Sequence, residues 1–378
     1  MQKQIRVGIV GAGMMGKTHT EALRRIPGVE VIALADTDSS LAQKTCEELF
    51  IPSVYTDAAE MIKKEQLECV HVCTPNFAHY HVCRQAIEMG CNVYCEKPLA
   101  NTYEEASSLR RLAEEHQVAA AVNFNYRHNA IVQEMHERVC SKEWGRTFLV
   151  HGHYIQDWMM FEDDYNWRCD PKLGGRSRTI ADIGSHWFDT VQFILGKKIV
   201  RVYANLITAI PHRKKYTHQA QTFAQQSGED YQLIAIDSED AAFIMVQFED
   251  GAMGNLVVSQ VSGGRKNDFQ IHIDGSHYGM SWRQEYPDQL LIGQRDAGTT
   301  LIRSAPDTLH GRAKCYASLP GGHVVAWNDA LKNAIAQFYD YLRYGGEKHF
   351  ADFTTGSSIV KLVEACLKSN ENQCWVDV

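Results

Sequence analysis

Three groups of residues have the types and spacing to do chemistry. The first is Gly11-Ala12-Gly13-Met14-Met15-Gly16, directly behind the apolar run Arg6-Val7-Gly8-Ile9-Val10. A strand, a glycine turn and a helix start in that order suit a dinucleotide. Gly11 permits the tight turn, Gly13 lets a pyrophosphate approach the backbone, and Gly16 lets the helix pack on the strand. The N–H groups that open the helix, at Met14 and Met15, are then offered to phosphates. Asp36, 20 residues after Gly16, ends the next strand, where a carboxylate accepts hydrogen bonds from ribose hydroxyls. The following Thr37, Asp38, Ser39 and Ser40 include no cation for a 2′-phosphate, so the expected cofactor is NAD rather than NADP. The competing reading is a glycine turn followed by an Asp that caps the next helix.

The second group lies at two later strand ends, Cys73-Thr74-Pro75-Asn76 with His79 three residues on, and Cys95-Glu96-Lys97-Pro98-Leu99. Open α/β sheets bind ligands beyond the carboxyl ends of their strands, which makes Thr74, Asn76, His79 and Glu96 candidate cofactor contacts. A Lys-Pro pair is ordinarily a surface turn, but here a strand delivers Lys97 to the face where a nicotinamide would lie. The third group is Asp182-Ile183-Gly184-Ser185-His186, read as the opening of a helix over Ile183–Leu195. Asp182 and His186, four apart, can share one face of its first turn. An imidazole titrates near neutral pH, so His186 suits a general base; simple packing against a strand is the competing reading.

In this order, Gly11–Gly16, Thr74-Pro75-Asn76…His79, Glu96-Lys97-Pro98 and Leu173-Gly174-Gly175…Asp182-Ile183-Gly184-Ser185-His186 resemble the Gfo/Idh/MocA family of sugar and polyol oxidoreductases. The resemblance runs over essentially the whole chain. It implies that Lys97 and His186 meet at a substrate carbinol, with His186 as general base and Lys97 stabilising the developing alkoxide. Family members differ on which of the two takes the proton, so the roles are exchangeable. Asp182 would hold a neighbouring hydroxyl and bias the His186 proton. Glu96 would orient Lys97 or touch the nicotinamide ribose, and the Lys97–Pro98 bond would be cis. Arg127, in Asn123-Phe124-Asn125-Tyr126-Arg127, occupies a family position near the nicotinamide, with a structural ion pair as its competing role.

A substrate pocket is expected from Gln156-Asp157-Trp158 and Asn166-Trp167-Arg168-Cys169-Asp170, since aromatic faces with adjacent hydrogen-bonding groups suit a pyranose. Trp158, Trp167, Arg168 and His323 are the candidate substrate contacts, beside Lys97, Asp182 and His186. For the two tryptophans core packing competes, and for Arg168 an ion pair with Asp170 or Asp164. The loop Met159–Asp170 carries Glu162, Asp163, Asp164 and several aromatics, more than a minimal inositol pocket needs. It looks like a glycoside or anhydrosugar dehydrogenase subgroup, and oxidation of a glucoside at its 3-hydroxyl is the preferred specific expectation. The alternatives are an NAD-dependent glycosidase working by transient oxidation, a ketosugar or anhydrosugar reductase, and a non-catalytic NAD-binding regulator.

The elements that must position these groups fall into two halves. Residues 1–125 alternate short apolar strands with amphipathic stretches, which predicts a doubly wound parallel sheet, an α/β Rossmann domain. Residues 126–378 open with helices and then turn strand-rich from Val200 to about Ile292. They predict an α+β domain built on a large, mostly antiparallel open sheet with helices on one face. Helical patterns over Val324–Tyr344 and Thr355–Leu367 close the chain, and the last helix is expected to pack back on the Rossmann domain. The broad sheet face needs cover, which predicts a homo-oligomer.

Composition sets outer limits. With 378 residues, 44% hydrophobic and 22% charged, the chain can build two cores. The net charge of -8 argues against nucleic acid, whose phosphates need a basic surface. The short basic run His212-Arg213-Lys214-Lys215 reads as a solvated loop. No secretory leader and no apolar stretch of about 18 residues is read, so no membrane partner is expected. Of the 11 cysteines, Cys69/Cys73 and Cys91/Cys95 lie in strand-like runs at a spacing unlike that of metal sites. Buried reduced thiols in a cytoplasmic enzyme, and no metal, are the expectation.

Overall fold

The computed structural model describes residues 4–217, 228 and 230–378; the remaining part of the predicted strand-rich region lies outside them. The chain divides into two units, residues 1–125 with 331–360, and residues 126–330 with 361–378. The first thus contains, besides the N-terminal stretch, most of one closing helix and the start of the next.

In the first unit the chain order is β1 (Ile5–Val10), α1 (Met14–Arg24), β2 (Val29–Ala35), α2 (Ser39–Leu49), β3 (Ser53–Tyr55), α3 (Ala58–Glu65), β4 (Cys69–Val72), α4 (Asn76–Glu88), β5 (Asn92–Cys95), α5 (Tyr103–Glu115) and β6 (Ala120–Val122). The strands form one parallel sheet in the order β3-β2-β1-β4-β5-β6. The doubly wound α/β expectation is therefore met. Strand order reverses beside β1, so the crevice expected to bind a ligand lies beyond the ends of β1 and β4. Central strands are buried on both faces, as Val7, Ile9, Val70, Val72, Val93 and Cys95 show. The β3–α3 hairpin of elements escaped sequence reading because three residues carry no usable periodicity.

The second unit runs α6 (Ala130–Cys140), β7 (Thr147–Ile155), α7 (Pro171–Gly174), α8 (Ser185–Leu195), β8 (Ile199–Ile207), β9 (His212–Tyr216), β10 (Tyr231–Ala235), β11 (Ala241–Phe248), β12 (Met253–Ser259), β13 (Asp268–Gly275), β14 (Gly279–Arg283), β15 (Gln289–Gln294) and β16 (Gly298–Arg303). Helices α9 (Trp327–Tyr344) and α10 (Phe353–Asn372) each start in one unit and end in the other, and β17 (Val376–Asp377) ends the chain. Nine strands form a mostly antiparallel sheet in the order β16-β15-β14-β13-β7-β12-β11-β8-β17, with β7 and β12 the parallel pair. Alternation along β11 buries Ala242, Ile244, Val246 and Phe248, while Phe243 and Met245 face outward. The expected α+β sheet is present and continues past Ile292 to Arg303.

One expectation fails. The run His212–Lys215 is not a solvated loop: it forms β9, and Arg213 is fully buried. Its guanidinium bonds the Asp240 carboxylate at 2.7 Å and the carbonyls of Met159, Phe161 and Asp164 at 2.8–3.0 Å. A buried cation is tolerated because it is paired and nearly every donor has an acceptor. Sequence alone could not show that the partner waits 27 residues downstream.

Candidate active site

The dinucleotide turn is built as its sequence dictates. Gly11 has φ of 109°, and a Cβ there would lie 2.6 Å from the Cys73 carbonyl oxygen; at Gly16 it would lie 1.9 Å from the Gly11 oxygen. These two glycines serve the protein's own close contacts. Gly13 differs: a Cβ there would meet nothing within 4 Å. Its space is open in the protein, as a cradle for a pyrophosphate requires. Gly13 is the N-cap of α1 and supplies no side-chain cap, so the N–H groups of Met14 and Met15 start the helix without one.

Asp36 is not the cap of α2. Asp38 takes that role, accepting from Ser40 and Leu41 N–H. Asp36 instead receives the Ala12 N–H on Oδ2 at 2.7 Å and the Asp38 N–H on Oδ1 at 2.9 Å. One carboxylate thus ties the glycine turn to the end of β2 and keeps further lone pairs for a ribose.

At the ends of β4 and β5, His79 is fully buried, with Nδ1 2.7 Å from the Pro98 carbonyl and Nε2 2.9 Å from the Thr74 carbonyl. It staples the two loops together. Burial, the largest influence, lowers its pKa against the two carbonyls that raise it. Thr74 Oγ1 is buried without a hydrogen-bond partner, a feature that a ligand amide could satisfy. Asn76 opens α4 and is half-buried. The Lys97–Pro98 peptide is cis.

Glu96 is 6% exposed. Its Oε1 accepts from Asn123 Nδ2 at 2.5 Å and lies 2.9 Å from His19 Nε2, while Oε2 accepts the main-chain N–H of Lys97 at 3.2 Å. Burial opposes its charge, but hydrogen bonds from His19 and Asn123 and the nearby Lys97 outweigh it and hold the carboxyl down to about 2. Glu96 is therefore a permanent carboxylate that grips the backbone of Lys97. His19 and Asn123 were not singled out from sequence; His19 stands on α1 three residues past Gly16, a spacing that could have drawn attention to it.

In the second unit, Asp182 lies within a five-residue π-helical turn, Ile180–Gly184, that leads into α8. The helix expected over Ile183–Leu195 begins at Ser185, because the wider turn's i→i+5 bonding occupies the preceding residues. Such turns insert an extra residue and often mark functional positions. Asp182 Oδ2 accepts from Gln260 Nε2 at 2.8 Å, and Oδ1 lies 3.6 Å from Arg168 Nε. Arg168 in turn lies over the rings of Trp167, at 4.4 Å, and Trp158, at 5.6 Å. The structure thus brings Asp182, Arg168, Trp158 and Trp167 together. Arg168 pairs with Asp182, whereas Asp170 caps α7 and Asp164 accepts from Phe161 N–H.

His186, 7% exposed, has its ring edge-on to Tyr126 with centroids 4.9 Å apart. Behind it, Tyr126 and Tyr154 join hydroxyls at 2.9 Å and both meet Asn267, at 3.2 and 2.5 Å. Burial raises both phenols, so they remain neutral. This support was missed because it is assembled from strands and turns far apart in sequence. Arg127 forms a two-pronged pair with Asp189, whose Oδ2 lies 3.0 Å from Nε, and lies over Phe193. The structure shows its ion-pair role. His323 stands in an exposed turn, with Nδ1 3.0 Å from the Pro320 carbonyl.

The 11 cysteines are free, and Cys69, Cys73, Cys91 and Cys95 are buried. Among the described residues no group of three or more His, Cys, Asp or Glu could hold a metal. Among the described residues no helix is long and apolar enough to cross a membrane.

Comparison with known proteins decides what this scaffold is. Residues 5–124 match the oxidoreductase family with NAD-binding Rossmann fold, and residues 132–280 match the Gfo/Idh/MocA C-terminal domain. The chain belongs to the Gfo/Idh/MocA oxidoreductase family. It is accordingly an NAD-dependent oxidoreductase, and the residues at the Gly13 cradle fit that cofactor. The levoglucosan dehydrogenase of Pseudarthrobacter phenanthrenivorans is 25% identical over 390 residues, covering 100% of this chain and 98% of the relative. The D-glucoside 3-dehydrogenase of Escherichia coli is 28% identical over 255 residues, covering 66% of this chain and 68% of the relative. Among solved structures, a levoglucosan dehydrogenase complex with NADH and levoglucosan superposes with a TM-score of 0.89 at 24% identity, covering 100% of both chains.

Proposed function

We propose that this Gfo/Idh/MocA enzyme oxidises a secondary hydroxyl of a glucoside or anhydrosugar, with the 3-position of a glucoside as the preferred target. The observation that carries this reading is the Asp182–Arg168–Trp167 stack. It groups a carboxylate, a guanidinium and an aromatic face, and the carboxylate belongs to the turn that leads into the helix bearing His186. Indole faces take the C–H side of a pyranose, and the charged groups take its hydroxyl rim. Relatives named for levoglucosan and D-glucoside support the same class.

NAD, when bound, would supply the acceptor for the hydride that leaves the carbinol carbon. His186 removes the hydroxyl proton, Lys97 steadies the oxygen as charge develops, and Asp182 holds the adjacent hydroxyl. Lys97 and His186 are exchangeable in these two roles. Glu96 holds Lys97 through its main chain, as the 3.2 Å bond suggests. Gly11, Gly13, Met14, Met15, Gly16, Asp36, Thr74 and Asn76 hold the nucleotide, with His79 fixing the loop that carries Thr74. Reduction of a ketosugar is the same chemistry reversed.

The decisive experiment incubates the enzyme with a sugar and glycoside panel and NAD or NADP, follows absorbance at 340 nm, and locates the new carbonyl by NMR. A 3-keto product with NADH accumulation supports the reading. Release of aglycone or reducing sugar without NADH replaces it by glycosidase action, and silence across the panel removes the sugar class. The free thiols suit a reducing, cytoplasmic setting. The outward sheet residues Phe243, Met245, Met253, Leu291 and Leu301 suit association of like subunits.

A further inference from the structure

His19 and His71 are fully buried in the first unit, and no step above uses them. Their rings meet through Nδ1 atoms 2.9 Å apart. The far nitrogen of His19 faces Glu96 at 2.9 Å, and the far nitrogen of His71 faces the Tyr339 hydroxyl at 3.0 Å. Tyr339, on α9, is itself fully buried and shares a hydrogen bond with the buried thiol of Cys69. The His71 ring lies nearly parallel to Tyr94, at 4.9 Å and 16°. Tyr94 donates its hydroxyl to Asn123 at 3.0 Å, and Asn123 donates to Glu96. Two runs of buried polar side chains therefore converge on one oxygen, Glu96 Oε1.

With both rings neutral, hydrogen-bond accounting gives the longer run a single direction. An ionised Glu96 only accepts, so His19 Nε2 carries a hydrogen. A neutral His19 then presents a bare Nδ1, which His71 must fill from its own Nδ1–H. A neutral His71 is left with a bare Nε2, which the Tyr339 hydroxyl fills. Every donor points toward Glu96, and with both rings neutral no other arrangement satisfies all three contacts. A carboxylate whose Oε1 is held by two such runs has its Oε2 fixed in turn, and Oε2 receives the Lys97 N–H.

We propose that His19, His71 and Tyr339 are positioning residues that hold Lys97 in register through Glu96. The inference rests on the reading of Lys97 as a catalytic residue. Small displacements of a reacting group are costly, with about 1 Å capable of a hundredfold loss in rate. Removal of the Tyr339 hydroxyl leaves the buried Nε2 of His71 without its hydrogen-bond partner and so loosens the run at its far end.

The test uses the full-length enzyme with NAD and the best panel substrate, and measures kcat, KM for NAD and the pH dependence of kcat. The variants are Lys97→Ala, Tyr339→Phe, His71→Phe, Glu96→Gln and the double variant Glu96→Gln/His71→Phe. Tyr339→Phe removes one oxygen and keeps the ring, so it provides a fold-conserving probe. Lys97→Ala should lose about 10²–10⁴ in kcat. We expect kcat to fall about fivefold for Tyr339→Phe and about twentyfold for His71→Phe, with KM for NAD within about twofold and a displaced pH profile. The double variant should be no slower than Glu96→Gln alone, because residues acting through one another do not add. Losses that multiply in the double variant would indicate packing rather than positioning and overturn the proposal. Wild-type kcat and pH profile in both single variants, with Lys97→Ala slowed as expected, would overturn it while the Lys97 reading stands. Full activity of Lys97→Ala would remove that reading and the proposal together.

Discussion

Asp36 reaches back 24 residues to accept the main-chain N–H of Ala12 at 2.7 Å, in the middle of the dinucleotide turn. The residue expected to recognise the ribose is thus also a strut of the loop that receives the pyrophosphate. A hydrogen bond to a charged group contributes about 1.5–3 kcal/mol, and loss of the carboxylate also orphans the Ala12 N–H. Asp36→Ala should therefore lower the stability of the cofactor-free protein by roughly 1–3 kcal/mol in urea unfolding. It should also raise the Kd for NAD about tenfold or more by calorimetry, since a ribose contact and the turn go together. A weakened affinity with unchanged apo stability would show that the strut contributes little.

The acid–base assignment makes a separate kinetic prediction. Lys97→Ala and His186→Ala should each reduce kcat by about 10²–10⁴, the range for removal of a general base or of a group facing developing charge. Glu96, held down to about 2, contributes no limb to the pH–rate profile near neutrality. Stopped-flow single-turnover rates separate the chemical step from product release. If the two variants retain wild-type single-turnover rates, the assignment fails.

Asp240 carries a structural prediction. Its Oδ1 takes both Arg178 and Arg213, each fully buried, and its Oδ2 accepts Ile210 N–H at 2.8 Å. Two buried cations then depend on one carboxylate, and removal of one partner of such a pair costs about 3–5 kcal/mol. Asp240→Asn should lower the unfolding free energy by that amount in chemical denaturation. Because Arg213 also grips the carbonyls of Met159, Phe161 and Asp164, the same substitution should weaken substrate affinity more than NAD affinity. Equal loss of both would point to general unfolding.

The two histidines that burial holds neutral, His71 and His79, govern the acid side of stability. Their folded pKa values lie below the unfolded value, so the unfolded chain binds the extra proton as pH falls. The stabilisation is fully present above about pH 6.5 and is lost below it, at up to about 1.4 kcal/mol per pH unit for each group. His71→Phe removes one such group. Its stability, measured by denaturant unfolding between pH 5 and 8, should be lower at pH 8 yet fall less steeply toward pH 5. A slope equal to wild type would show that His71 is already protonated in the folded state.

How much of this was legible in the sequence follows from the range of each signal. The Gly11–Gly16 turn, Asp36 and the strands around them declare themselves within a few dozen residues, because the chemistry and the local backbone need the same residue types. The strand Thr147–Ile155 and the helix Ala130–Cys140 are likewise local elements, each carried by its own apolar pattern. Arg213 was misread because its partner Asp240, 27 residues on, and the carbonyls of Met159, Phe161 and Asp164 meet it only in the folded second unit. His19, Asn123, Gln260 and Asn267 were passed over for the same reason: each acts through a side chain far away in sequence. The π-helical turn at Ile180–Gly184 left no periodic trace, since one inserted residue shifts a helical pattern without destroying it.

The outer face of the nine-stranded sheet makes the last prediction. Phe243 is 56% exposed and Met245 42%, and Leu291 stands opposite Leu301 across β15 and β16, both largely exposed. These apolar patches stand on one face of the sheet, one on β11 and one on β15 and β16, and each is costly to leave in water at about 25 cal/mol per Å². A homo-oligomer joined through this face removes that cost, and a closed two-fold arrangement would use the same patch on both subunits. Light scattering coupled to size exclusion should therefore give a mass that is a multiple of one chain. Phe243→Glu with Met245→Lys places charges on this face without touching the core residues Ile244 and Val246. The double variant should shift the mass toward one chain while near-ultraviolet circular dichroism stays native. A wild-type protein that is monomeric at micromolar concentration would show that the sheet is covered in some other way.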